Sequence, residues 1–315
     1  MNIVKKLPGP LLVFMGAVCL SFGGLIVKSF EGANLWQILF WRQTFFTIIV
    51  ALYLVISYKK NFFKSFYNSG LSGFIGGIFL GIGFAAYVFS MYTTTVANTN
   101  FIITTETIFL AAFGYFFLKE KIDLITFIAI ILGMSGVLLI VGSSLSSIHI
   151  SPWFLVKQCV FGGCLLNDFS SCSRNIEEFI GNLVAFIMPI SFAILVIIIR
   201  KYPNVDMVPA QFIAGVFAAI IGYVIAGKLS ISLHDLFLAS LAGFFQIGFG
   251  FIFITIGSQT TPSAVVGVLM LTEAVFGPLW AWLFINEVPP ISVLIGGGII
   301  IFSILFQTLL SKKQT

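Results

Sequence analysis

Charge is what this sequence has least of: Asp, Glu, Lys and Arg supply 9% of its 315 residues, against roughly a quarter in a soluble domain. So few charges cannot cover a water-facing surface, which excludes a soluble globular fold. Histidine is scarcer still. His149 and His234 are the two copies, neither HExxH nor GxSxG occurs, and no GxxxxGK is followed by the Ser or Thr that a phosphate loop requires, which removes common hydrolase signatures and ATP-driven pumping within the chain. There are four cysteines, and three of them, Cys159, Cys164 and Cys172, fall within 151–177. Their intervals lack the paired spacing of zinc ligands, and His149 is the sole imidazole nearby, so neither a metal nor another cofactor is expected; a disulfide there is left open. A long polar region is missing too. Only 145–178 separates apolar runs by more than a short loop, which leaves little for a receptor or scaffold.

What the chain has is apolar length. Hydrophobic residues reach 59%, and runs of about 20 of them recur from end to end, each sufficient to cross a bilayer as a helix. The runs predict spans near 9–28, 34–58, 69–92, 95–118, 123–144, 180–200, 206–227, 236–257, 262–285 and 290–311. Continuous apolar runs exclude a barrel, whose strands alternate, so the expected fold is an all-α integral membrane protein with ten transmembrane helices. Lys5 and Lys6 precede the first run. That run is long and lacks a small-residue cleavage site, so it reads as a retained helix and not a leader.

The net charge of +5 belongs to topology, not to nucleic acid. With the N-terminus inside, the inner side receives Lys5, Lys6, Lys59, Lys60, Lys64, Lys119, Lys121, Arg200, Lys201, Lys312 and Lys313, and the outer side only Lys28, Lys157, Arg174 and Lys228. Positive residues favour the cytoplasm, so both termini are expected there, in a multi-pass plasma membrane or bacterial inner membrane.

The chain also repeats itself. Residues 93–120 align without a gap on 260–287, matching Thr93 with Thr260, Thr94 with Thr261, Ala97 with Ala264, Thr105 with Thr272, Glu106 with Glu273, Phe109 with Phe276, Phe117 with Phe284 and Glu120 with Glu287. Upstream, Gly76, Gly81, Gly83 and Phe84 match Gly243, Gly248, Gly250 and Phe251 at the same offset. Apolar bias can pair phenylalanines by chance, but not two glutamates spaced alike in both copies. Five spans per copy is an odd number, so the second copy is inverted relative to the first. This is a transporter architecture, with a site near the midplane between two halves. The units are 1–144 and 179–315, separated by a connector, 145–178. The connector's apolar patch from Trp153 to Leu166 encloses Lys157 and is too short to cross. It reads as an extracytoplasmic insertion lying on the membrane surface.

The segment Phe117-Leu-Lys-Glu-Lys-Ile-Asp, followed by Ile131-Leu-Gly-Met-Ser-Gly-Val-Leu-Leu-Ile-Val-Gly, resembles the end of an EamA-type repeat of the drug/metabolite transporter superfamily. There an acidic residue closes the fourth helix and a glycine-containing fifth helix follows. Phe284-Ile-Asn-Glu-Val-Pro-Pro and Gly296-Gly-Gly form a looser second match. Phe40-Trp-Arg-Gln resembles the arginine frequent in that family's second span, whereas the seventh span here has no arginine. The resemblance implies a secondary transporter of a small metabolite, an amino acid or related solute moved by alternating access, with efflux the expected direction and coupling to protons, to sodium or to the solute gradient itself left open. The alternatives are a membrane receptor or scaffold without transport and, more remotely, an intramembrane enzyme. A small-molecule solute and the lipid bilayer are the partners implied, with the chain a monomer or homodimer.

Three charges lie inside the predicted spans. Glu106 and Glu273 each sit 11 residues into theirs, about 16 Å deep at 1.5 Å per residue. A bare carboxylate costs at least a few kcal/mol at that depth, so each must hold a proton or find a partner. Either outcome serves transport, by carrying a coupling proton or by binding a cationic group. The plainer reading is a structural hydrogen bond to Thr104, Thr105 or Thr272. Arg42 can contact a substrate carboxylate, pair with Glu106 or Glu273, or snorkel to water. Gln246 is a further polar candidate. Helical spacing adds Phe109 and Phe113 beside Glu106, and Met270, Phe276 and Trp280 beside Glu273, as candidate pocket lining. Pro278 and Pro189 each free a carbonyl four residues earlier and predict bends. Gly73, Gly77 and Gly81 form a close-packing face, and Glu120 and Glu287 read as structural.

Overall fold

A computed structural model describes residues 7–94, 96–145, 177, 179–286, 288 and 291–311. The connector's three cysteines and its apolar patch lie outside the described residues, as does Glu287. Every regular element among the described residues is a helix, as lipid demands of a chain whose backbone groups find no water to bond.

In chain order these are α1 (Gly9–Leu20), α2 (Gly23–Lys28), α3 (Leu35–Tyr58), α4 (Phe62–Thr93), α5 (Val96–Thr104), α6 (Glu106–Leu118) and α7 (Leu124–Leu145) in the first half. The second half holds α8 (Ile187–Lys201), α9 (Val208–Ala226), α10 (Leu233–Leu241), α11 (Gly250–Ser258), α12 (Ser263–Met270), α13 (Thr272–Ile285) and α14 (Ile291–Ser311). Helical residues 179–185 precede α8, and a π-helical stretch, Ala242–Phe249, joins α10 to α11.

By length and composition, eight stretches of the described residues can cross a membrane. The longest, Leu35–Thr93, is α3 and α4 separated by the short 3-10 turn Lys59–Asn61. The apolar part of α7 is shorter, Leu124–Ile140. Where the sequence predicts a third span starting at 69, helix begins at Phe62 and breaks at Gly70, whose φ of 57° suits only glycine comfortably. The break separates a lead-in carrying exposed Phe63 and Tyr67 from the packed helix.

Contacts between the halves are reciprocal. The first helix of each half packs on the third of the other, α1 on α11 and α8 on α4; second helices pair as α3 with α9, fourth as α6 with α12, and fifth as α7 with α14. An approximate two-fold axis therefore runs between them, as inverted copies require. Phe84 and Phe251, equivalent in the repeat, meet edge to face with ring centroids 5.0 Å apart, and Phe46 and Phe192 complete a buried cluster around them. The glycine face of α4 serves the packing predicted for it. A Cβ at Gly77 would stand 2.6 Å from the Ala210 carbonyl of α9, and one at Gly81 2.9 Å from that of Ala214.

Candidate functional site

Both fourth spans are interrupted just before their carboxylates. Thr105 separates α5 from α6 and Leu271 separates α12 from α13. Each interruption is a tightened turn: the Thr105 N–H donates to the Ile102 carbonyl at 3.1 Å, and the Leu271 N–H to the Val268 carbonyl at 3.3 Å. Three-residue bonds thus replace the usual four-residue ones. Glu106 and Glu273 consequently occupy the first turn of the second half-helix in both copies. Pro278 lies within α13, which continues through it; the break stands ahead of Glu273 and not after it, as the proline had suggested. In the sixth span the interruption is at Phe186, next to the Ala185 carbonyl that Pro189 cannot satisfy.

The first span is broken too, between Leu20 and Gly23. The Gln246 side-chain amide donates to the Leu20 carbonyl at 3.3 Å. Gln246 itself comes from the π-helical stretch, which re-aims side chains relative to an α-helix.

These breaks converge on one chamber of about 30 Å³ lined by Leu20, Arg42, Phe84, Tyr87, Ile103, Glu106, Met188, Phe192, Gln246, Ile247, Phe251, Met270 and Glu273. Of the residues singled out in the sequence, it unites Arg42, Glu106, Glu273, Gln246 and Met270. The other four lie aside. Phe109 and Phe113 lie tilted against each other along α6, ring centroids 5.9 Å apart. Phe276 packs on Phe14, and Trp280 stacks on Phe22 at 4.5 Å while its indole N–H donates to the Ser21 hydroxyl at 2.8 Å. All four follow their glutamate on the same uninterrupted half-helix, α6 or α13, and pack along it against other neighbours instead of into the chamber.

The charged groups of the chamber make no hydrogen bond among the described residues. Arg42 is 5% exposed, which excludes snorkelling, yet it makes no hydrogen bond or ion pair among the described residues, and its Nε is buried without a partner. Its guanidinium instead lies 5.0 Å from the centre of the Tyr87 ring, a cation–π contact. Glu273 is within electrostatic reach of Arg42 and Glu106. The threonines do not bond the carboxylates: Thr104 donates to the Phe101 carbonyl at 2.6 Å, Thr105 to that of Ile102 at 2.5 Å, and the Thr272 hydroxyl is buried unpaired. Two carboxylates and one arginine in a nearly dry space need one further positive charge if both carboxylates ionise. A proton or a cationic group can supply it.

One end of the molecule is tied shut across the halves. Arg200 donates through Nε (2.9 Å) and a terminal nitrogen (2.6 Å) to Glu120 Oε1, and through the other to the Gln259 carbonyl at 3.1 Å. Glu120 Oε2 accepts from the Ser263 N–H and hydroxyl, capping α12. At the opposite end, Asp235 accepts from the backbone N–H groups of Glu31, Gly32 and Ala33 at 2.9 to 3.1 Å. The sequence reading of Glu120 as structural agrees with its place here. It overlooked Tyr87, Phe192 and the pairing of Phe84 with Phe251. The last was signalled by their equivalence in the repeat; Tyr87 carried no signal, because its partner Arg42 is distant in sequence.

A family model described as the EamA-like transporter family matches residues 7–142 and again 179–309, one match per half. The chain is 27% identical over 297 residues to solute carrier family 35 member G1 of Mus musculus, covering 90% of this chain and 75% of that protein. It is 24% identical over 218 residues to an uncharacterized transporter of Methanothermobacter thermautotrophicus, covering 68% of this chain and 56% of the other. A solved crystal structure superposes with a TM-score of 0.73 over 97% of this chain and 98% of its own, at 15% identity, a likeness of fold alone.

Proposed function

The chain belongs to the EamA-like transporter family, and on that premise we propose that it is a secondary active transporter, not an enzyme, moving an amino acid or related small solute by alternating access. Its mode is efflux coupled to protons. The observation that carries this reading is the pair of repeat-equivalent carboxylates, Glu106 and Glu273, brought with Arg42 into one chamber where the two halves meet. Such a pair can exchange a proton for a cationic group of the solute, and rocking of the halves about it changes the side from which it is reached. The single arginine adds an anchor for a carboxylate.

The test is a solute panel in proteoliposomes with an imposed proton gradient. Gradient-driven movement of an amino acid or close relative, lost on adding a protonophore, is the expected result. Exchange of solutes indifferent to the proton gradient would remove proton coupling from the proposal, and no movement of any such solute would remove the substrate class.

Ten crossings follow if α3 and α4 cross separately and α7 crosses as well. The Arg200 end is then cytoplasmic together with both termini, in a plasma or bacterial inner membrane. Impermeant thiol reagents applied to intact cells should therefore label Cys159, Cys164 and Cys172 from outside. Labelling only after the inner face is exposed would invert the topology.

A further inference from the structure

A second cavity, of about 300 Å³, lies beside the chamber, its lining including Glu31, Gly32, Arg42, Tyr87 and Val88. The two cavities have only Arg42 and Tyr87 in common. The larger one reaches the surface at the 30–33 loop, where Glu31 and Gly32 are exposed. At 300 Å³ it is at the small end of sites that hold a metabolite, whereas 30 Å³ holds about one or two waters.

We propose that this vestibule is the first solute site, with Arg42 receiving an anionic group of the solute, and that Arg42 and Tyr87 form a movable partition which leaves the Glu106 and Glu273 chamber open to water and protons alone in this state. The inference rests on the transport reading above and adds to it a separate place for the solute. Three observations carry it. Among the described residues Arg42 is the one buried cation of the site, makes no hydrogen bond or ion pair, and faces both cavities. The Tyr87 ring is held against it at 5.0 Å, so displacing either side chain opens the passage. Finally, Gly23 leaves room for this arrangement: a Cβ there would stand 2.5 Å from the Gln246 amide nitrogen and 3.1 Å from the Tyr87 hydroxyl. Tyr87 acts through Arg42 and by obstruction, and is therefore a positioning residue.

Thiol accessibility tests the partition without relying on transport. All four native cysteines are replaced by serine, and single cysteines are placed in the vestibule (Val88→Cys) or the chamber (Ile247→Cys). Impermeant methanethiosulfonate reagents, one an anionic sulfonate and one a quaternary ammonium, are then applied from the side of the 30–33 loop. Val88→Cys is expected to react at least tenfold faster than Ile247→Cys, and to prefer the anionic reagent until Arg42→Gln removes the preference. Adding Tyr87→Ala should raise the Ile247→Cys rate about tenfold. Gly23→Ala, which crowds the tyrosine without truncating it, should raise that rate too, and carries the test if Tyr87→Ala does not fold. Equal rates at the two positions with Tyr87 in place, no reaction at Val88→Cys, or a chamber rate unmoved by a folded Tyr87 or Gly23 variant would each overturn the partition. A labelling pattern as expected in a protein that moves no solute would leave the two compartments standing and the transport reading overturned.

Discussion

Glu106→Gln and Glu273→Gln are each expected to slow transport at least tenfold and to flatten its dependence on pH. Glutamine keeps the size and hydrogen-bonding capacity of glutamate and removes only its ionisation, so the pair of variants isolates charge from packing. A tenfold loss corresponds to about 1.4 kcal/mol, a modest share of what a carboxylate at this depth costs if it is neither protonated nor paired. The two sites should not respond alike. Glu273 is within electrostatic reach of Arg42 as well as of Glu106, whereas the neighbouring charge that acts on Glu106 is Glu273. Initial rates across a pH series, for variants that insert and purify like the parent, decide the matter. Wild-type rates and an unchanged pH profile in both variants would make the carboxylates structural and return the search to Arg42 and Gln246. Arg42→Lys then separates charge from shape, since lysine retains the charge and loses the planar fork.

The second large effect is expected on folding, at the contact of the two fifth helices. A Cβ at Gly136 would lie 2.7 Å from the Gly296 carbonyl oxygen, and one at Gly296 2.5 Å from the Gly136 carbonyl oxygen. Backbone meets backbone there, and unlike the Ile300 and Ile140 side chains that also crowd these positions, it cannot swing aside. Gly136→Val or Gly296→Val must therefore push α7 and α14 apart along their whole length. Overpacking of this kind costs about 1 to 3 kcal/mol and sometimes more, and in lipid the lost close contact is itself the driving force for association. The melting temperature in detergent should fall by about 5 °C or more, with lower yield of monodisperse protein. Gly298→Val on the same helix is the control, because nothing lies within 4 Å of a Cβ placed there. Equal stability of Gly296→Val and Gly298→Val would show that the helices do not meet at these glycines.

The contrast between these sites shows how far each level of information reaches. Sequence alone determined the class, the helical form and the repeat. Low charge and long apolar runs allow one solvent, and that solvent allows few backbone conformations. Inversion was expected from an odd number of predicted spans per copy, and deep burial of Glu106 and Glu273 from counting along a helix. Those are one-dimensional properties, set by composition and spacing. The tertiary structure decided what counting cannot reach: that Arg42, over 200 residues from Glu273, stands in the same chamber, that Tyr87 covers its guanidinium, and that Phe109, Phe113, Phe276 and Trp280 pack elsewhere. The reason is that helical spacing says which residues share a face but not what that face meets. The four follow their glutamate on one uninterrupted half-helix, yet Phe276 and Trp280 are taken up by Phe14, Phe22 and Ser21. Which neighbour a face meets is set by packing between helices distant in sequence, and that packing is written in no single span.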